Sequence, residues 1–378
     1  MSPLATFRKP LLLAGIAAIA FWWWTHGGRT AGSAGTDITG VSPPPFAVVG
    51  DSDSHSYQDR VSFPAGSPLR GGAYRDSTLQ WTEVLARLRG RELDPGQWGV
   101  YGGNGLLARA YELAGGQARA PRKQDYRYNF AVSGAGCESL MGGRIRQVPR
   151  LVRLMDQAPH RWREGVVLIR IGVNSFGTAD SLDRLARDPA DGAVQGVIAG
   201  CIRAAKASVE TIHRHHPETR IVLVGIFDNS HWTKYQDRWQ SPRQLANIRQ
   251  GLDAFDHALA QMAQPDPRLA FFDDRAWFAG HWGGRDAAGR PAYRSIEFGG
   301  LRVENSAGDS PDHATLADGH AGLVWNALWA QSLVDLLNAG FGMGVTPIGQ
   351  DELLALLPVG PSLPPPPAGQ GQDVEASR

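Results

Sequence analysis

Uninterrupted apolar runs of strand length, separated by segments of helical period, constrain the fold of this chain more than any other feature of its sequence. Phe46-Ala47-Val48-Val49, Val166 to Ile171, Ile221 to Phe227 and Leu269 to Phe272 each read as a buried strand. Between them, Trp81, Val84, Leu85 and Leu88 mark one helix face, and Ile198, Cys201, Ile202, Ala205, Val209 and Ile212 mark another. Ser241-Pro242 supplies a cap and a first-turn proline for a helix with Leu245, Ile248, Leu252, Phe255, Leu259 and Met262 on its buried side. Ala321 to Asn338 reads as a last helix. Strands that are apolar throughout need cover on both faces, so the alternation predicts an α/β domain built on a parallel sheet. Such sheets bind ligands beyond the carboxyl ends of their strands, and functional residues are expected there.

The ends of the chain differ in kind from its middle. Arg8 and Lys9 precede an uncharged apolar run from Leu11 to Trp24, the pattern of an export segment. Residues 1–26 are therefore read as a signal peptide or an N-terminal membrane anchor. The run is short for a span and small residues Ala18 and Ala20 offer a cleavage site, whereas Trp22, Trp23 and Trp24 suit an interfacial belt, so both readings stay open. Either places the rest of the chain outside the cytoplasm, periplasmic or secreted, with the membrane as a partner if the segment is retained. Residues 27–45, rich in Gly, Ser, Thr and Pro, read as a flexible linker. The folded domain is expected over 46–340, a C-terminal extension over 341–357 and a disordered Pro-rich tail over 358–378. With 42% hydrophobic residues, 20% charged residues and a formal charge of +1, the chain can bury a large core and carries no field that implies nucleic acid as a partner. The two cysteines, Cys137 and Cys201, are either a disulfide or two small buried side chains.

Four short stretches follow the predicted strands. Gly50-Asp51-Ser52-Asp53-Ser54 comes directly after the first strand, where a sharp turn would expose a serine, although Gly-Asp-Ser is also an ordinary turn. Asn129-Phe130-Ala131-Val132-Ser133-Gly134-Ala135-Gly136 ends in small residues whose N–H groups can face an anion, or serve only to turn the chain. Gly172-Val173-Asn174-Ser175 puts a side-chain amide at a strand end, as an oxyanion donor or as a helix cap. Asp318-Gly319-His320 opens the last helix. A serine hydroxyl needs a base to take its proton, and an imidazole base needs an acceptor to fix its tautomer, which an Asp beside a His can provide.

In this order, the four stretches resemble the blocks of the SGNH (GDSL-like) hydrolase family. Phe46 to Ser54 is similar to the first block, Asn129 to Ala135 to the Asn-aromatic-Ala-x-x-Gly-Ala second block, Gly172-Val173-Asn174 to the Gly-x-Asn third block, and Asp318 to Gly322 to the last. The resemblance implies a three-layer α/β/α sandwich, flavodoxin-like, with about five parallel strands, needing no metal or organic cofactor. It implies that Ser52 is the nucleophile, His320 the general base and Asp318 the orienting acid, with an oxyanion hole formed by Ser52 N–H, Gly134 N–H and the Asn174 side chain. Two departures stand out. The family places Asp three positions before His, where this chain has Ala317, so Asp309 and Asp312 are alternative acids and His313 an alternative base. Ser175 stands where many members have Asp, which should alter loop hydrogen bonding more than chemistry.

Trp232, Trp239, Trp277 and Trp282 fall in the stretch after the later strands. Aromatic rings on loops near a site suit sugar faces, or else pack a long loop onto the domain. His231 and His281 beside them lack metal-ligand spacing, so no metal is expected. His213, His215 and His216 read as a solvated helix end, and Arg144 and Arg146 as surface charges or contacts to an acidic polymer. The resulting expectation is an extracytoplasmic serine esterase that hydrolyses or transfers an acyl group, with acetyl the candidate, on a carbohydrate or another small ester substrate. A lipase or general carboxylesterase is the alternative within the same chemistry, and a catalytically decayed polysaccharide-binding or assembly protein the alternative outside it.

Overall fold

In a computed structural model the chain is described over residues 42–358. The expected signal or anchor, most of the linker and nearly all of the Pro-rich tail lie outside the described residues. Among the described residues no helix is long and apolar enough to cross a membrane.

Four strands form the central sheet: β1 (Phe46–Gly50), β2 (Val166–Arg170), β3 (Arg220–Val224) and β4 (Leu269–Phe272). They pair in parallel in the order β1-β2-β3-β4, with Val48 opposite Leu168, Leu168 opposite Val222 and Val222 opposite Ala270. On the free edge of β1, the stretch from Tyr128 to Val132 adds a short fifth partner. Val48 N donates to Tyr128 O at 3.1 Å, Phe130 N to Val48 O at 2.7 Å and Val132 N to Gly50 O at 3.1 Å. Counting that stretch, the second sheet segment of the chain lies outside the first, the order of a flavodoxin-like sheet.

Alternation along each strand feeds two cores. Ala47, Val49, Val167, Ile169, Ile221 and Leu223 face α2 (Gln147–Met155), α3 (Gly192–His215) and α4 (Pro242–Ala263). Phe46, Val48, Val166, Leu168, Val222 and Val224 face α1 (Trp81–Arg89), α5 (Asp274–Trp282) and α6 (Leu323–Phe341). The result is the three-layer α/β/α sandwich expected from strands apolar on both faces. Pro242 starts α4 as predicted, but Ser241 makes no side-chain cap bond, so the proline's fixed φ sets the start. Cys137 and Cys201 form a disulfide that ties the turn after the second block to α3.

Residues after α6 fold back rather than leave the domain. Val345, Ile348, Leu353 and Leu356 are buried in the second core. Arg89 at the end of α1 donates to Thr346 O and Pro347 O and pairs with Glu352 at 2.6 Å, which fastens this extension beside α1.

Candidate active site

The turn after β1 is shaped by a close approach. A Cβ at Gly50 would overlap the carbonyl oxygen of Arg170 on β2, so only glycine lets the two strands meet there. Buried Gln147 locks this glycine from the side, its amide oxygen accepting from Gly50 N at 2.7 Å and its Nε2 donating to Gly50 O at 2.8 Å. Asp51 O then accepts from Ser54 N and His55 N, closing a tight turn with Ser52 at its apex. Asp51 itself is fully buried, and that burial, helped by the nearby Asp53 charge, pushes its carboxyl up to about 8. Below the turn, Arg170 donates to Asp53 O at 3.1 Å and to Asp274 at 2.8 Å, an ion pair inserted into an otherwise apolar strand.

Ser52 is 7% exposed, and among the described residues neither its N–H nor its Oγ has a hydrogen-bond partner. The N–H of Gly134 is also uncommitted among the described residues. Asn174 spends one amide hydrogen on Ala135 O at 3.1 Å, which leaves the other for a ligand. Ser175 Oγ accepts from Cys137 N at 3.0 Å, so the position that departs from the family pattern joins the second and third blocks.

His320 sits in the loop before α6. Its Nδ1 lies 3.0 Å from Asp318 Oδ1, so the shortened spacing still brings carboxylate and imidazole together. Gly319 between them has a φ of 84°, and a Cβ there would overlap the Trp232 indole, so glycine permits both the turn and the indole's approach. Burial alone would raise the Asp318 carboxyl; the His320 bond and the Arg70 cation outweigh it and hold it well below the usual carboxylate range. The alternative acids and base are engaged elsewhere: Asp309 accepts from Ala317 N, Asp312 from Ser310 Oγ, and His313 Nδ1 meets Ser306 Oγ at 2.7 Å.

Ser52, Asn174 and His320 line one open cavity of about 290 Å³ at the carboxyl end of the sheet. Trp232 forms part of its wall. The other three tryptophans do not reach it, which corrects the expectation that all four are loop rings at the site. Trp239 is 2% exposed, stacks edge-on with Tyr235 and donates to Asp183. Trp277 and Trp282 are buried on α5 and packed against Trp325 of α6, and Trp282 shares its face with Phe278, four residues earlier. His231 bonds Tyr293 and His281 bonds the carbonyl of Trp277. His216, expected at a solvated helix end, is buried against Asp156. A second, larger cavity of about 620 Å³ lies across the segment that follows β3; it contains Asp228, Ser230 and His231 and none of the residues expected to be catalytic.

Two side chains at the site were not anticipated from the sequence. Arg70, 4% exposed, contacts both Asp318 and His320, and Ser133 Oγ through its other terminal nitrogen at 3.4 Å. His55, also buried, meets Ser133 Oγ with Nδ1 at 2.9 Å and Asp59 with Nε2 at 2.8 Å, tying the first block to the second. Burial, reinforced by the Lys123 cation, lowers the imidazole's proton affinity. Nothing near Arg70 in the chain marks it, since its partners are about 250 positions away. His55 stands three residues after Ser52 and was the more legible of the two.

No curated protein matches the chain. Among solved structures, an extracellular lipase from Streptomyces rimosus is 18% identical, covering 76% of this chain and 99% of its own, with a TM-score of 0.33. A carbohydrate esterase family 2 enzyme with a carbohydrate-binding domain, from Corynascus thermopiles (Myceliophthora fergusii), is 15% identical over 83% of this chain and 72% of its own, with a TM-score of 0.36. A salicylyl-acyltransferase from a tetracycline biosynthetic pathway is 15% identical over 82% of this chain and 57% of its own, with a TM-score of 0.33. At these identities and scores none of them bears on the substrate. The family model of GDSL-like lipases and acylhydrolases matches residues 90–291, more than half of the chain, including the second and third blocks. With that match, and the α/β/α sandwich that carries all four blocks, the chain belongs to the GDSL-like (SGNH) lipase/acylhydrolase family.

Proposed function

We propose that this protein is an extracytoplasmic serine esterase that removes, or transfers, a short acyl group such as acetyl from a carbohydrate. One observation carries the reading: Ser52, Asn174 and His320, from three distant parts of the chain, line one cavity together with Trp232. Ser52 Oγ attacks the ester carbonyl while His320 Nε2 accepts its proton, and Asp318 holds Nδ1–H. Negative charge on the former carbonyl oxygen is met by Ser52 N–H, Gly134 N–H and the free Asn174 amide hydrogen. Collapse of the tetrahedral intermediate expels the sugar alkoxide, which takes the proton back from His320. Water, or an acceptor hydroxyl in a transfer, then attacks the acyl-serine by the same steps.

The cavity's small, open form supports a short acyl group on a hydroxylated carrier over a long chain. Gln80, Arg170, Thr178, Asn229 and Thr315 provide donors and acceptors around it, and the exposed Lys234 ammonium lies 5.4 Å from the Trp232 ring centre. Flat indole faces suit sugar C–H groups. The location outside the cytoplasm rests on the charged and apolar pattern of the first residues.

The test compares p-nitrophenyl esters of increasing chain length, and acetate release from acetylated polysaccharides, for wild type and Ser52→Ala. Turnover of acetyl esters that Ser52→Ala abolishes is the expected result. Preference for long acyl chains would make the protein a lipase, and glycan binding without turnover would make it a binding or assembly protein.

A further inference from the structure

We propose that Arg70 is a positioning residue for the Asp318–His320 pair, supplying the constraint that the contracted Asp-Gly-His spacing removes; the inference rests on the esterase reading above. The Asp318 carboxylate is divided between two sets of partners. Its Oδ2 accepts from Arg70 N at 2.9 Å and Arg70 Nη1 at 2.5 Å, while Oδ1 accepts from His320 N at 3.1 Å and faces His320 Nδ1 at 3.0 Å. Among the described residues only Arg70 bonds Oδ2, so Arg70 decides how the carboxylate is rotated about its Cβ–Cγ bond. The loop's own His320 N–H bonds only Oδ1, so Oδ2 is held from outside the loop.

Arg70 is in turn held from several sides. Its own φ of 62°, unusual for a residue with a side chain, turns the backbone N–H and the guanidinium toward the same carboxylate oxygen. The guanidinium carbon sits 4.5 Å from the Phe63 ring centre and 5.5 Å from that of Tyr57. Its Nη2 reaches Ser133 Oγ, which His55 and Asp59 fix in the chain of bonds described above. A planar fork with donors at fixed separation fits this arrangement; a lysine ammonium cannot reach Asp318 and Ser133 together.

The same guanidinium approaches His320 Nδ1 to 2.6 Å. Nη1 can only donate, so this contact is a bond only while Nδ1 lacks a proton, and Nη1 must turn away from the ring when Nδ1 carries one. When Nδ1 accepts from Arg70, the proton sits on Nε2 and the ring rests. When Nδ1–H is donated to Oδ1, Nε2 is free to take the Ser52 proton. Arg70 remains anchored to Oδ2 in both states, so what it holds throughout is the acid.

The experiment measures kcat and KM on p-nitrophenyl acetate for wild type, Arg70→Met, Arg70→Lys, Asp318→Asn and the Arg70→Met/Asp318→Asn double variant, with urea unfolding to count folded molecules. Expected for Arg70→Met is a fall in kcat of about 10- to 100-fold, as for other outer partners that orient a reacting group, with KM nearly unchanged. The double variant should be no slower than Asp318→Asn alone, because Arg70 acts only through that carboxylate. Guanidinium chloride well below denaturing concentration should restore part of the loss in Arg70→Met and none in the double variant. Unchanged or raised kcat in folded Arg70→Met, or additive losses in the double variant, would overturn the proposal. Should Arg70→Met fail to fold, Arg70→Lys decides by the same kcat and KM criteria. Failure of the esterase reading is separate, since it shows as no turnover by wild type or as full turnover by Ser52→Ala.

Discussion

Asn174 has one amide hydrogen bonded to Ala135 and one unspent, which is what an oxyanion donor needs and a helix cap does not. Asn174→Ala should therefore lower kcat by about 10²- to 10³-fold on acetyl esters with KM little altered, as steady-state kinetics would register. Asp318 makes a second, thermodynamic prediction. Its folded-state carboxyl lies below the ordinary range, so the stability it contributes is present above about pH 4 and is lost as pH falls through the folded value. Urea unfolding from neutral to acidic pH should show wild type losing stability more steeply below about pH 4 than Asp318→Asn; parallel curves would mean that the carboxylate is not held as described. At this scale Ser52, Asn174 and the Asp318–His320 pair were legible because each follows a strand in a fixed order. Arg70 was not, because a left-handed backbone and a contact across some 250 positions leave no local pattern.

Elements were legible where the side-chain period was long and clean. The four central strands and the helices at 192–215, 242–263 and 323–341 all follow their apolar stripes. Short antiparallel pairs such as Trp98–Tyr101 with Lys123–Tyr126, and Gly283–Arg285 with Pro291–Tyr293, run three or four residues with mixed polarity and give no period to read. The tryptophans show the same limit. Trp277 and Trp282 were expected beside a sugar because they fall after a late strand, but both are buried on α5; of the four tryptophans expected there Trp232 alone lines the cavity, together with Trp325 of α6. These positions should separate in experiment. Trp232→Ala is expected to raise KM for an acetylated oligosaccharide about tenfold, the loss of roughly 1.4 kcal/mol of stacking, while leaving p-nitrophenyl acetate turnover near wild type. Trp277→Ala is expected to cost about 3 to 5 kcal/mol of unfolding free energy instead, with the KM of folded enzyme unchanged.

On the scale of the whole molecule, the sheet order decides where chemistry can occur. The 128–132 stretch lies on one side of β1 and β2 on the other, so the order in which the chain adds strands reverses at β1 and a crevice opens above its carboxyl end. The first, second, third and last blocks meet there, although Ser52 and His320 stand at opposite ends of the domain. The parallel sheet followed from strand composition alone; the strand order did not, because apolar runs carry no record of their neighbours. Covalent trapping tests this convergence most directly: the protein is treated with a fluorophosphonate, digested, and the labelled peptide identified for wild type and His320→Ala. The account predicts a single label on Ser52 that is lost or greatly slowed in His320→Ala. A label on another residue, or one on Ser52 that forms equally fast without His320, would contradict it.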